Sequence, residues 1–257
     1  MEIIERKIGN GGAMLRMFLH RDMSALASEN VVFPEKRRAV LVIPGGGYNH
    51  VSEREAEPVA FSFFAKGYEA AVLYYSVSDD IAFSNPIEEA SLALCELRRL
   101  ESVDPERVLS IGFSAGAHLA AMLAEHGCEF DKDAKLNALI LSYPVITMGK
   151  ETHVGSREMI CPTIGNEDYL SAERCVSPSF PPTYIWSTRE DETVDVKNSL
   201  MMYEALLADG VFSEIHIYPE GKHGLSVATS ESGTPDGYVA RWLDEAFLFL
   251  DRVFRSI

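Results

Sequence analysis

Val108-Leu109-Ser110-Ile111-Gly112-Phe113-Ser114-Ala115-Gly116 runs straight into Ala117-His118-Leu119-Ala120-Ala121-Met122-Leu123. An apolar β-rich run, a Gly-x-Ser-x-Gly turn and a helix-forming run follow one another without a spacer. A turn this tight forces its serine into a strained backbone conformation, and the two glycines remove Cβ atoms that would strike neighbouring chain. The serine hydroxyl then stands at a strand end and at a helix N-terminus. There the helix dipole and the free amide of Ala115 favour a developing negative charge.

The same alternation extends outward in both directions. Residues 39–43, 70–75, 138–143, 183–187 and 215–218 are short apolar runs that read as strands. Residues 54–66, 87–100, 115–126, 195–208 and 237–254 have helical spacing, and a first strand is expected near 13–19. Continuous apolar strands, each followed by a helix, form a mostly parallel central sheet flanked by helices on both faces. Residues 145–181 stand apart, carrying Pro144 at their edge and Pro162, Pro178, Pro181 and Pro182 within or beside them. A stretch this long inside an α/β domain is expected to be a small cap insertion over the carboxyl edge of the sheet.

A serine hydroxyl needs a base within hydrogen-bond reach, and the base needs an acid to orient it. His223, in Gly221-Lys222-His223-Gly224 after the strand Ile215–Tyr218, is the expected base. Of the other histidines, His20 and His216 lie in expected strands and His126 at a helix end. His50 and His153 come too early in the chain for the usual order. His118, one helical turn past Ser114, reads as a packing residue or a partner of the site. Asp191 in Thr188-Arg189-Glu190-Asp191-Glu192 is the expected acid, with Glu190, Glu192 and Asp195 as neighbours in contention; Asp195 fits a helix N-cap equally well. Upstream, Pro44-Gly45-Gly46-Gly47-Tyr48 follows the strand Ala39–Ile43. Its glycines allow main-chain N–H groups to face a cavity, and Gly46 and Gly47 are the expected oxyanion donors alongside Ala115. The spacing fits neither GxGxxG nor GxxxxGK[ST], which excludes a phosphate loop of those types.

Together PGGGY, GFSAG, Asp191-x-x-Val194 and GKHG resemble the α/β-hydrolase esterases close to the hormone-sensitive-lipase and acetyl-xylan-esterase-like families. The likeness covers roughly residues 35–250. It implies an α/β-hydrolase fold, Ser114, Asp191 and His223 as catalytic triad, Gly46, Gly47 and Ala115 as oxyanion hole, and short acyl esters, often acetyl groups on sugars, as substrates. Two positions depart from the pattern. PGGG replaces HGGG, and Ser187 stands where many relatives carry histidine.

Composition narrows the alternatives. A net charge of −16 and a pI near 4.8 disfavour nucleic acid and anionic membranes as partners. Four cysteines without regular spacing do not make a disulfide framework. No apolar stretch approaches the about 18 residues of a bilayer span, and Met1–Phe18 does not read as a signal peptide. A soluble cytoplasmic protein is expected. There is no HExxH and no tight His/Asp cluster, so neither metal nor cofactor is expected. The partner is a small-molecule ester; a homodimer is left open. Tyr48, Tyr74, Tyr75, Tyr143 and Trp186 read as core or as pocket lining, and Arg157 as a surface residue or a substrate contact. A peptidase of the same fold and a non-catalytic binding protein on a hydrolase scaffold are the competing readings. The first usually needs a large extra domain, and the second commonly lacks a triad member. Replacing Ser114 by alanine is expected to lower kcat by at least about three orders of magnitude; a variant that turns over at near wild-type rate would refute the nucleophile assignment.

Overall fold

A computed structural model describes residues 1–77 and 83–255. Eight strands form one sheet in the order β1-β2-β4-β3-β5-β6-β7-β8. They are β1 (Glu2–Ile8), β2 (Ala13–Leu19), β3 (Arg37–Ile43), β4 (Glu69–Tyr74), β5 (Val103–Phe113), β6 (Ala138–Ser142), β7 (Thr183–Thr188) and β8 (Ser213–Tyr218). From β4 across to β8 every neighbouring pair is parallel, whereas β2 runs antiparallel to both β1 and β4.

Side chains alternate across the sheet, as the pleat requires. Leu41 and Ile43 of β3 enter one apolar layer, with Leu73, Leu139 and Ile185. Val40 and Val42 enter the other, with Val72, Ile111 and Ile140. Helices α2 (Ser84–Arg98), α3 (Ala115–Phe130) and α6 (Lys197–Ala208) cover the first layer through Leu94, Leu119, Met202 and Leu206. Helices α1 (Glu57–Ala65) and α7 (Trp242–Arg255) cover the second through Val59, Phe63, Trp242 and Phe249. Because both faces are covered, the strands are apolar throughout rather than alternating. This is the arrangement of an α/β-hydrolase fold.

Two elements depart from the sequence reading. β1 is an additional edge strand whose residues are mostly exposed, and its isoleucines, Ile3, Ile4 and Ile8, are interrupted by charged residues and form no continuous apolar run. The segment 145–181 is more ordered than its prolines suggest. It holds α4 (Val154–Ile164), with Pro162 in the last turn, and the short α5 (Glu167–Leu170). Val145, Ile146 and Met148 lead into it fully buried. The aromatics follow the core reading. Tyr48, Tyr75, Tyr143 and Trp186 are buried in the core, and Tyr74 lies beneath the Arg16 guanidinium.

The parallel strands end on one edge, and the loops that follow β3, β5, β6, β7 and β8 meet there, as ligand sites do in open α/β sheets. A stacked indole pair underlies this edge: Trp186 of β7 and Trp242 of α7 lie 4.9 Å apart at 17°. Each indole N–H is satisfied, Trp186 by Ser142 Oγ at 2.8 Å and Trp242 by the Ser226 carbonyl at 3.0 Å. Trp242→Ala would open a large void and strand that carbonyl. It is expected to cost about 3–5 kcal/mol and to lower the melting temperature by on the order of 10 °C. Differential scanning calorimetry checks this, and a shift under about 3 °C would contradict it.

Candidate active site

Ser114 joins β5 directly to α3 with φ 53° and ψ −120°, a region L-residues avoid. The strain is held by hydrogen bonds on both sides. Its amide donates to the Ser142 carbonyl at 3.0 Å, and its carbonyl accepts from Ala117, His118 and Val145 at 3.1, 3.2 and 3.1 Å. The flanking glycines are required by contact rather than by dihedral angle. A Cβ on Gly112 would lie 2.4 Å from the Ala117 Cα, and one on Gly116 would lie 2.2 Å from the Pro44 carbonyl oxygen. Helix α3 can therefore press directly against β5 and the end of β3.

His223 Nε2 lies 2.8 Å from Ser114 Oγ, and its Nδ1 lies 2.6 Å from Asp191 Oδ2. The second carboxylate oxygen of Asp191 accepts the amides of Thr193 and Val194, both at 2.9 Å. With a carboxylate oxygen accepting at Nδ1, that nitrogen donates to Asp191 and Nε2 is left to accept from the serine hydroxyl. Gly221 and Gly224 hold the histidine loop at φ 129° and 76°. The Thr188 hydroxyl donates to the Gly221 carbonyl at 2.8 Å, tying that loop to the end of β7. Among the neighbouring acids, Asp195 instead accepts the Lys197 amide at 2.9 Å at the start of α6, where the cap position itself is Val196.

The glycine loop passes beside the serine. The amide of Gly45 donates to Glu55 Oε2 at 2.9 Å and is thereby engaged. The amides of Gly46, Gly47 and Ala115 have no protein acceptor among the described residues. Gly46, at φ 128°, admits no side chain, because a Cβ would sit 2.0 Å from the His50 carbonyl oxygen. These three free N–H groups stand on the loop and the helix start that flank Ser114.

Two buried groups that carry no motif hold these loops together. Glu55 sits in a 3₁₀ turn ahead of α1, 3% exposed. Besides Gly45, it accepts the Tyr143 hydroxyl at 2.7 Å. That same hydroxyl accepts the Ser226 amide at 2.9 Å, and the Tyr143 ring meets His223 edge-on at 4.9 Å. Burial, reinforced by the Glu55 charge, holds the Tyr143 phenol far above its ordinary range, so it stays a donor. His118 is the second. Its Nδ1 pairs with the Tyr48 hydroxyl and its Nε2 with the Leu170 carbonyl, both at 2.7 Å. Nε2 therefore bears the proton and Nδ1 accepts. This ring links the glycine loop to the end of α5. His118 is buried and paired as its place one turn past Ser114 suggests, whereas the role of Glu55 is not visible in the sequence, where it is one of several acidic residues. His153, set aside on chain order, lies at the N-terminus of α4 with its Cε1 3.8 Å from where a Gly47 Cβ would be. Arg157 pairs with Glu167, joining α4 to α5, and Ser187 pairs with Ser199 inside the fold. No group of three or more His, Cys, Asp or Glu residues suited to a metal occurs among the described residues.

The strand order and this strand–serine–helix turn define an α/β-hydrolase. More narrowly, the BD-FAE family model matches residues 31–206, and the chain belongs to that family. It is 36% identical over 215 residues to endo-1,4-beta-xylanase B of Butyrivibrio fibrisolvens, covering 76% of this chain and 34% of that protein. It is 28% identical over 205 residues to an acetylxylan esterase of Xylanibacter ruminicola, covering 75% and 42%. The chain thus matches less than half the length of either relative. Among solved structures, the acetyl ester-xyloside bifunctional hydrolase of Caldicellulosiruptor lactoaceticus superposes with a TM-score of 0.81 at 29% identity, over 94% of this chain and 88% of that one. An α/β-hydrolase enzyme from a Medee basin deep-sea metagenome library does so with 0.82 at 31%, over 98% of each.

Burial lowers the His118 pKa to about 4, against an ordinary value of 6.5. Between those values the unfolded chain binds a proton that the folded chain does not. The stability is therefore fully present above about pH 6.5 and lost as pH falls toward about 4, by roughly 3 kcal/mol. Urea unfolding midpoints at pH 7 and pH 4.5 are expected to differ less in His118→Gln than in the wild type. Equal differences would contradict the assignment of a buried neutral ring.

Proposed function

We propose that the protein is a serine carboxylesterase that hydrolyses short-chain acyl esters, acetyl groups on xylose-containing sugars being the favoured substrate class. The observation that carries this reading is the continuous Ser114–His223–Asp191 hydrogen-bond chain beside three free main-chain amides. In this reading Ser114 Oγ attacks the ester carbonyl while His223 Nε2 takes its proton. The tetrahedral oxyanion is held by the amides of Gly46, Gly47 and Ala115. The carbonyl re-forms, the C–O bond to the alcohol breaks, and His223 returns the proton to the leaving oxygen. Water, deprotonated by His223, then attacks the acyl-enzyme, and the carboxylic acid departs as the Ser114 hydroxyl is restored. Asp191 holds the imidazole in the working tautomer and stabilises its charged form throughout.

The segment 145–181 is proposed as a small cap on the same site, a reading supported by the position of α4 against the glycine loop. The names of the relatives, an acetylxylan esterase and an acetyl ester-xyloside hydrolase, favour acetylated xylosides. No helix of the described residues is long and apolar enough to cross a membrane. The free thiols of Cys95, Cys128, Cys161 and Cys175 suit a reducing compartment, and the cytoplasm is the proposed location.

A panel of p-nitrophenyl esters from acetate to laurate, with acetylated xylo-oligosaccharides beside it, tests the proposal. Turnover of acetate and butyrate, falling steeply with chain length, is the expected result. Folded protein that cleaves none of these esters would contradict the reading.

A further inference from the structure

We propose that His153 is a specificity-determining residue that donates, through Nε2–H, to a hydroxyl or ring oxygen on the alcohol side of the ester, so that the site favours polyhydroxylated alcohols over plain alkyl or aryl ones. The inference rests on the esterase reading above.

His153 occupies a place where a histidine is not the usual choice. Helix N-caps favour Ser, Thr, Asp and Asn, whose short side chains reach back to the first free amides. Here an imidazole caps α4 instead. Its Nδ1 accepts the Ser156 amide at 3.2 Å and lies 2.9 Å from the Ser156 hydroxyl. A ring nitrogen that accepts a main-chain N–H carries no proton, so the neutral ring bears its proton on Nε2. The tautomer is fixed by the backbone, in the way that Asp191 fixes that of His223. Burial and the nearby His223 both lower the proton affinity of His153, while Asp191 opposes them, which keeps the ring neutral in this role.

The ring is also fixed in space. Its Cε1 lies 3.8 Å from the Cβ position of Gly47 on one side and 3.2 Å from that of Gly155 on the other. The imidazole thus sits between the glycine loop, which it approaches at ordinary contact distance, and the first turn of α4, where a Cβ on Gly155 would crowd it. Nδ1 is used on the protein, whereas Nε2 is neither buried without a partner nor bonded to any described residue. The result is one oriented, accessible donor beside Gly47 and within electrostatic reach of His223. The first of these neighbours flanks the carbonyl oxygen of a bound ester, and the second faces its leaving oxygen. On a sugar, the carbon next to the esterified one commonly carries a further hydroxyl that such a donor can meet; an alkyl or nitrophenyl alcohol carries none.

The test is a selectivity ratio: kcat/KM for methyl β-xyloside monoacetate divided by kcat/KM for p-nitrophenyl acetate. It is measured for wild type, His153→Ser and His153→Gln, with thermal melting as the folding control. Serine keeps a capping oxygen for α4 but has no reach, and glutamine keeps an amide donor. The ratio is expected to fall about tenfold in His153→Ser, the effect of stranding a polar group of the substrate, and to recover in part in His153→Gln. A ratio within about twofold of wild type in folded His153→Ser, whether both substrates slow together or neither does, would overturn the proposal and leave His153 as a helix cap. Wild-type protein that cleaves neither substrate would overturn the esterase reading itself, and this inference with it.

Discussion

A chain that leaves a strand and enters a helix within one residue has to pass through a backbone conformation that L-amino acids avoid, and Ser114 does so at φ 53°. Strain of this kind costs on the order of 1–3 kcal/mol and persists only where the surroundings over-determine it. Here they do. The serine is clamped by β6 through Ser142, by α3 through Ala117 and His118, and by the loop after β6 through Val145. Gly112 and Gly116 let the helix press against the sheet closely enough for those bonds to form. The parallel strands on either side then deliver the remaining parts of the site, since each ends on the same edge. The free amide of Ala115 and the placement of Oγ against His223 are consequences of the one turn.

Placement of the surrounding loops depends on buried polar groups rather than on the sheet alone. Glu55 accepts from the glycine loop and from Tyr143, and Tyr143 in turn accepts from Ser226, beyond the histidine. One carboxylate and one phenol therefore connect the loops after β3, β6 and β8. Ser226 carries the connection further, since its hydroxyl donates to the Arg54 carbonyl and its own carbonyl accepts from Trp242. On the other flank, His118 connects Tyr48 to Leu170. The loops that carry the reacting groups are thus joined to each other by fully paired buried groups, the condition under which a polar network rigidifies rather than destabilises.

The sequence was most legible where local pattern and tertiary role coincide. The parallel strands, the turn at Ser114 and the helix after it announce themselves through apolar runs and glycine spacing, because both faces of each strand are buried. Asp191 and His223 follow from chain order and loop context, and the structure sets them at 2.6 Å from one another. Legibility ended where burial and pattern part company. β1 is exposed along most of its length and carries no continuous apolar run. Pro162 argues against the helix α4 that nonetheless contains it, in a last turn where little of the helical ladder remains to be broken. Glu55 acts through Gly45 and Tyr143, and no spacing rule connects those positions. The aromatics near the strand ends were ambiguous between core and pocket until burial decided for the core.

The account turns on Ser114 being an activated nucleophile, and covalent trapping tests this most directly. The protein would be treated with diethyl p-nitrophenyl phosphate, and the modified peptide mapped by mass spectrometry. The account predicts a single diethylphosphoryl group on Ser114, with labelling slowed by orders of magnitude when His223 is replaced by alanine. Stoichiometric labelling at any other residue, or no labelling of folded protein, would contradict it.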